Sequence, residues 1–165
     1  MHRVTYLSAA TAPLDAAGLQ ALLTVSRRNN ARLGITGMML YHDGSFLQIL
    51  EGPEDAVNGL YDRISQDSRH GGMIRMLAAP VTTRAFPDWQ MGLVQLSELD
   101  PGQRDGVLSL IALARGEGGA MSEALERDRM AGILVRSFLR GLREFDGRLG
   151  SQDIASSAQV TGEAR

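Results

Sequence analysis

Asn29, Asn30 and Gln48 are the residues of this chain whose types could do hydrogen-bond chemistry where water is absent. A primary amide carries two N–H donors and a carbonyl acceptor on one planar group, so it can both give and receive. Gln48 falls in Phe46-Leu47-Gln48-Ile49-Leu50, a strand-like run in which Phe46, Gln48 and Leu50 share one face and Leu47, Ile49 and Glu51 the other. Its amide therefore sits between two large apolar neighbours. Leaving such a group unpaired costs on the order of 1–3 kcal/mol, so something polar must meet it.

The elements that must position these amides follow from local pattern. Met38 to Tyr41 and Phe46 to Leu50 form a hairpin, with Asp43-Gly44 as a tight primed turn between them. Val4 to Ser8 is a first strand. Pro13-Leu14-Asp15 opens a helix that runs to about Arg32 and ends at Gly34. Pro53-Glu54-Asp55 starts a second helix extending to about Gln66. Ile74 to Ala79 and Trp89 to Gln95 are two further strands, joined by a loop with Arg84, Phe86 and Pro87. Two βαβ-like halves of this kind predict an α+β, ferredoxin-like sandwich with a mixed β-sheet and two helices on one face.

Beyond Ser97 the pattern predicts a C-terminal helical extension: a short apolar helix over Val107 to Ala114 and a longer one over Ser122 to Glu144. The apolar stripe of the longer helix requires a partner surface, either the uncovered sheet face or a second subunit. The chain thus divides into a domain at 1–96, an extension at 97–147 and a Ser-, Ala- and Gly-rich tail at 148–165 expected to be disordered.

Composition excludes several function classes. The 165 residues contain no cysteine, which removes thiol catalysis, disulfides and thiolate metal sites. All 17 basic residues are arginine, yet a net charge of −2 with no basic stripe gives no footprint for nucleic acid. No run reaches membrane-spanning length and the start lacks a secretory apolar region, so the expected setting is the cytoplasm, away from membranes. His42 and His70 are too isolated to argue for a metal.

Helical periodicity brings the polar residues together. Leu19, Leu22, Leu23, Ser26 and Asn30 lie on one face of the first helix, the face that must cover the sheet. Ala56, Leu60, Ile64 and Asp67 align on the second, with Arg63 at the edge. Taken singly, Asn30 is a helix C-terminal cap, Asp67 with Arg63 a surface pair, and Gln48 a partner of backbone. Taken together, they describe a slot between two apolar helices for a flat heterocycle edged with donors and acceptors.

The segments Tyr6-Leu7-Ser8, Ser26-Arg27-Arg28-Asn29-Asn30, Gly34-Ile35-Thr36-Gly37, Phe46-Leu47-Gln48, Leu50-Glu51-Gly52, Asp67-Ser68-Arg69-His70 and Arg84-Ala85-Phe86-Pro87-Asp88-Trp89-Gln90-Met91-Gly92, in this order, resemble the BLUF family of flavin-using blue-light sensors. The resemblance covers roughly Arg3 to Gly92. It implies noncovalent FAD, with FMN or riboflavin as substitutes. It implies that Tyr6 donates an electron and proton to the photoexcited flavin, and that Gln48 lies between that tyrosine and the flavin edge. Asn30, with Asn29 nearby, then fixes the pyrimidine side, Asp67 and Arg69 line the polar edge with Arg63 contributing, and Leu22 and Ile64 clamp the ring faces. Trp89 and Met91 become the pair through which the signal leaves, either of which can sit beside the glutamine.

The chemistry suits those types. A tyrosine near its ordinary pKa of about 10 is neutral, and losing an electron makes its proton strongly acidic, so it needs an acceptor. An amide can take one proton and give another. The roughly 70 residues after the domain are too few for a cyclase or phosphodiesterase domain, so a non-enzymatic receptor acting through protein contact is expected, as a dimer or larger homo-oligomer with an unidentified downstream protein. A ferredoxin-like flavin-dependent oxidoreductase and a light-insensitive interaction module are the alternatives. No nicotinamide fingerprint supports the first, and the retained Tyr6 and Gln48 argue against the second.

Overall fold

A computed structural model of the chain describes residues 1–95, 107–109, 119–138 and 140. Contacts group the chain into two compact units, Met1–Arg129 and Met130–Arg165. In the first, β1 (His2–Ala10), α1 (Ala16–Leu33), β2 (Thr36–His42), β3 (Ser45–Gly52), α2 (Glu54–Ser65), β4 (His70–Pro80), β5 (Gly92–Gln95), β6 (Val107–Ser109) and α3 (Gly119–Arg127) follow in order. The strands form one mixed sheet in the order β4-β1-β3-β2-β5-β6. β1 runs antiparallel to β3 and β4, β2 antiparallel to β3, and β2, β5 and β6 are parallel to one another. This is the expected α+β, ferredoxin-like arrangement, with α1 and α2 on one face.

Short-range chemistry sets the ends of these elements. Asp43 and Gly44 both have positive φ, 42° and 77°, as a two-residue primed turn requires. The turn fixes the hairpin register, pairing His42 with Ser45 and so Met39 with Gln48. The Asp15 side chain accepts from Gly18 N at 2.7 Å and caps α1, while Gly34 ends it with a left-handed φ of 65°. Gly37 answers a different need: a Cβ there would meet the Ile49 carbonyl oxygen at 1.9 Å, so only glycine permits β2 and β3 to approach as they do.

Each face of the sheet has its own interior. On the helix face Val4, Tyr6, Met39, Phe46 and Leu50 pack with Leu19 and Leu23 of α1 and Val57 and Tyr61 of α2. The innermost residues of α2 are thus Val57 and Tyr61, one position on from the predicted Ala56-Leu60-Ile64 stripe, which flanks them. On the other face Met38, Leu40, Leu47 and Ile49 are also buried, beside Arg3 and Glu51. Asp128, just after α3, reaches this face: its Oδ2 accepts from Arg3 Nη2 at 2.6 Å. Burial alone would lower the Arg3 pKa, but the bonds to Asp128 and Glu51 together raise it.

Three expectations are corrected. Residues 107–109, predicted helical, form β6 on the free edge of β5, since a short apolar run fits either state and an open strand edge favours pairing. The rest of that span, 110–114, lies outside the described residues. The single helix predicted from Ser122 to Glu144 is interrupted at Asp128; α3 ends before it and residues 129–138 are helical after it. In the second unit Ala131 and Val135 are buried, while Met130 and Ile133 are exposed. Residues 141–147 and the tail at 148–165 also lie outside the described residues. The strand predicted from Trp89 begins only at Gly92, because the carbonyls of residues 89–91 are engaged elsewhere. No described helix is long and apolar enough to cross a membrane.

Candidate functional site

A cavity of about 230 Å³ opens between α1 and α2 over the middle of the sheet. α1 contributes Leu22, Asn29 and Asn30 to its wall, with Val25 and Ser26 between them. α2 contributes Leu60, Arg63 and Ile64, and the segment after it Asp67, Arg69 and His70. The floor is Met39, Gln48 and Leu50, and Met91 closes one end. The structure therefore brings to one cavity the eight residues predicted for a cofactor: Leu22, Asn29, Asn30, Gln48, Arg63, Ile64, Asp67 and Arg69.

Gln48 is 3% exposed, and its amide makes no hydrogen bond to protein among the described residues. Its direct neighbours across the sheet are Tyr6 on β1 and Met39 on β2. Tyr6 is fully buried and its hydroxyl also has no protein partner. Burial pushes the Tyr6 hydroxyl well above the ordinary tyrosine range, with Tyr61 adding to the effect, so it stays protonated. Tyr61 meets Tyr6 edge-on, with centroids 5.3 Å apart, and Arg75 lies over the Tyr61 ring at 4.0 Å.

The other polar groups pair differently from the single-residue readings. Asn30 does not cap its helix with its side chain; Nδ2 donates to the Gln90 carbonyl at 2.6 Å, and its own carbonyl accepts from Ile35 N. Asp67 pairs with Arg69 rather than Arg63, through bonds from Nε and Nη2 at 2.9 and 2.6 Å. Those bonds hold its carboxyl well below the usual carboxylate range and raise the Arg69 pKa. His70 is part of the turn, donating its N–H to Asp67 O at 2.9 Å, and is also a cavity wall residue. Its ring lies against Phe46, Nδ1 is 3.2 Å from Ser8 Oγ, and burial lowers its pKa.

Trp89 and Met91 occupy different places. Met91 is 2% exposed and lines the cavity, whereas Trp89 is half-buried outside it, its ring centroid 6.1 Å from that of Phe86. The sequence reading missed Met39 and Tyr61. Met39 was accessible through the turn, since a two-residue loop at 43–44 makes 39 and 48 partners.

An α+β sandwich whose two helices enclose a slot with apolar walls and an amide-rich edge defines a receptor for a planar, hydrogen-bonding ligand. The Gln48 amide, which lines the cavity and has no protein hydrogen bond among the described residues, fits a heterocycle with donors and acceptors on its rim, as a flavin has; Tyr6 is not itself a lining residue and stands behind Gln48 as its cross-strand partner. Residues 1–92 match the family described as sensors of blue-light using FAD. The photoactivated adenylate cyclase subunit beta of Euglena longa is 44% identical over 89 residues, which cover 53% of this chain and 10% of that protein. The blue light- and temperature-regulated antirepressor BluF of Escherichia coli (strain K12) is 31% identical over 93 residues, 56% of this chain and 22% of that one. The dark-state structure of BlrB, a BLUF protein, superposes with a TM-score of 0.56 at 39% identity, covering 59% of this chain and 74% of that one. The chain belongs to the BLUF family of flavin-binding blue-light sensors. It spans only about a tenth of the cyclase relatives it matches.

Proposed function

We propose that this chain is a non-enzymatic, cytoplasmic blue-light receptor that holds FAD noncovalently and signals by changing its protein contacts. One observation carries the reading: the Gln48 amide, buried, without a protein hydrogen bond among the described residues, and flanked by Tyr6 on β1 and by Met39, which lines the cavity with Met91. Leu22 and Ile64 would hold the two ring faces, Asn30 and Asn29 the pyrimidine edge, and Asp67, Arg69 and Arg63 the remaining polar rim. The cavity is smaller than the ~300–1,000 Å³ of a typical ligand pocket, which suits a ring system with its tail outside. FAD is the proposed form because the family is described as using it; FMN and riboflavin present the same ring system.

The bound flavin supplies blue-light absorption and, when excited, the affinity for an electron. Tyr6 is the donor, held neutral by burial until the electron leaves. Its phenolic proton would then have the Gln48 carbonyl oxygen as acceptor, while a Gln48 N–H would give a proton to the electron-accepting ring, so the side chain keeps its proton count and its donor and acceptor exchange places. When Tyr6 regains its electron and proton, Gln48 remains rotated or tautomerised. Met39 and Met91, the apolar neighbours, set how far the amide can turn. The signal leaves through Trp89 and Met91 to the extension at 97–147, altering contacts in a dimer or larger homo-oligomer and with a downstream protein. The domain at 1–96 is the sensor in this scheme.

The deciding experiment follows the absorbance of purified, flavin-loaded protein before and after blue light and then in darkness. A reversible red shift is the expected result. Steady bleaching with NADH would replace the receptor by a flavoenzyme, and a chain that cannot be loaded with flavin would be an interaction module.

A further inference from the structure

Three successive backbone carbonyls before β5 are each held by a different donor. Gly37 N on β2 donates to the Trp89 carbonyl at 2.9 Å, Asn30 Nδ2 to that of Gln90 at 2.6 Å, and Arg27 Nε to that of Met91 at 2.9 Å. Arg27 and Asn30 are three residues apart on α1, hence neighbours on one edge of the helix. Together with Gly37 they hold the 89–91 segment as a strap by its backbone alone, while its side chains take separate places. Met91 enters the cavity, Trp89 lies against Phe86 and Gln90 faces solvent.

We infer that Arg27 is a positioning residue of the light sensor: its guanidinium bond to the Met91 carbonyl keeps the Met91 side chain in the cavity and Trp89 out of it. This rests on the receptor reading above. Arg27 is not part of the cavity wall, and its bond to the Met91 carbonyl connects it to a residue that is. Its bond is charge-assisted, which makes it the stronger kind of hold on a carbonyl. Asn30 links the strap to the cavity as well, because one amide both lines the wall and holds Gln90. A rearrangement at Gln48 that displaces Met91 must therefore work against the Arg27 bond. Light would be transmitted to β5 by whether that bond persists.

The test compares Arg27→Ala and Arg27→Lys with the unsubstituted full chain, with and without flavin. Trp89 is the sole tryptophan, so intrinsic emission reports the strap directly. Without flavin, Arg27→Ala is expected to raise acrylamide quenching of Trp89 about twofold and to speed hydrogen exchange at the Met91 to Leu93 amides about tenfold, as loss of one strong hydrogen bond implies. With flavin it is expected to change the dark-recovery rate about tenfold while keeping the red shift, and Arg27→Lys to fall between. Should Arg27→Ala not fold, Arg27→Gln takes its place in the same comparison. Quenching, exchange and recovery all equal to those of the unsubstituted chain would overturn the clamp. If the unsubstituted chain shows no photoshift, the receptor reading fails separately, and unchanged quenching and exchange in the flavin-free protein would still overturn the clamp.

Discussion

Tyr6 and Gln48 are register partners across β1 and β3, on the face covered by α1 and α2, and neither finds a protein partner for its side-chain polar group among the described residues. Direct cross-strand partners have Cβ atoms about 5 Å apart, close enough for a phenol and an amide to hydrogen-bond once the rotamers allow it. A phenol hydroxyl and an amide that can both donate and accept are thus held together by the sheet itself. The proposed photochemical pair depends on no loop.

Gln48→Leu should keep flavin bound, because Asn30, Asp67 and the Leu22–Ile64 clamp remain, yet lose the reversible red shift. Leucine fills similar volume and offers nothing to rearrange. A normal photoshift in this variant, measured by difference absorbance, would remove Gln48 from the mechanism.

Tyr6→Phe should abolish the photoshift and raise flavin fluorescence, since the ring stays and the oxidisable hydroxyl goes. The flavin-free variant should be no less stable than the unsubstituted chain, and up to about 1 kcal/mol more so, because the deleted hydroxyl is buried without a partner. Urea unfolding checks the second point; a loss of more than about 1 kcal/mol would mean that the hydroxyl is satisfied in the folded protein.

Glu51→Gln should destabilise the chain by about 3–5 kcal/mol, the usual result of breaking a buried charge pair. Glu51 is fully buried; Oε1 accepts from Arg3 Nε at 2.7 Å and Ala85 N at 3.0 Å, and Oε2 from Phe86 N at 3.1 Å. Every neighbour is a donor, so the added NH2 group must oppose one of them. Denaturant midpoints would show the loss, and an unchanged midpoint would contradict the bonding described.

Asp67 gives a pH dependence with a definite sign. Its folded pKa lies below the unfolded value of about 3.9, so the stability it contributes is present above about pH 4 and is lost as pH falls through the folded pKa. The pair with Arg69 is largely exposed, which limits the effect to less than about 1 kcal/mol. Asp67→Asn should flatten the acid limb of the unfolding curve below pH ~4 and leave the neutral region nearly unchanged. An acid limb as steep as before would assign the titration to another group.

Much of the frame could be read from local signals. The Asp43-Gly44 turn, the Asp15 and Gly34 ends of α1 and the alternation along β3 each depend on residues close in sequence, and they place Gln48 opposite the helices. The partners of individual side chains were less legible. Nothing near Asp67 favours Arg69 over Arg63, since both are within reach and only the turn geometry decides. Arg27 reads as an ordinary charge on an amphipathic helix until the Met91 carbonyl arrives beside it. β6 pairs with a strand edge, and Asp128 with the Arg3 guanidinium, that no local window contains.

The buried second face of the sheet bears on how this sensor could be moved between proteins. Met38, Leu40, Leu47 and Ile49 have almost no exposure although α1 and α2 lie on the opposite side, and Asp128 closes the polar end of that face through Arg3. A graft cut at the end of β5 would remove Asp128 and leave the Arg3 guanidinium without that partner. A chimera joined at residue 96 would carry every residue that lines the cavity yet lose a charge pair on the opposite face, so linking an effector there would trade stability for brevity.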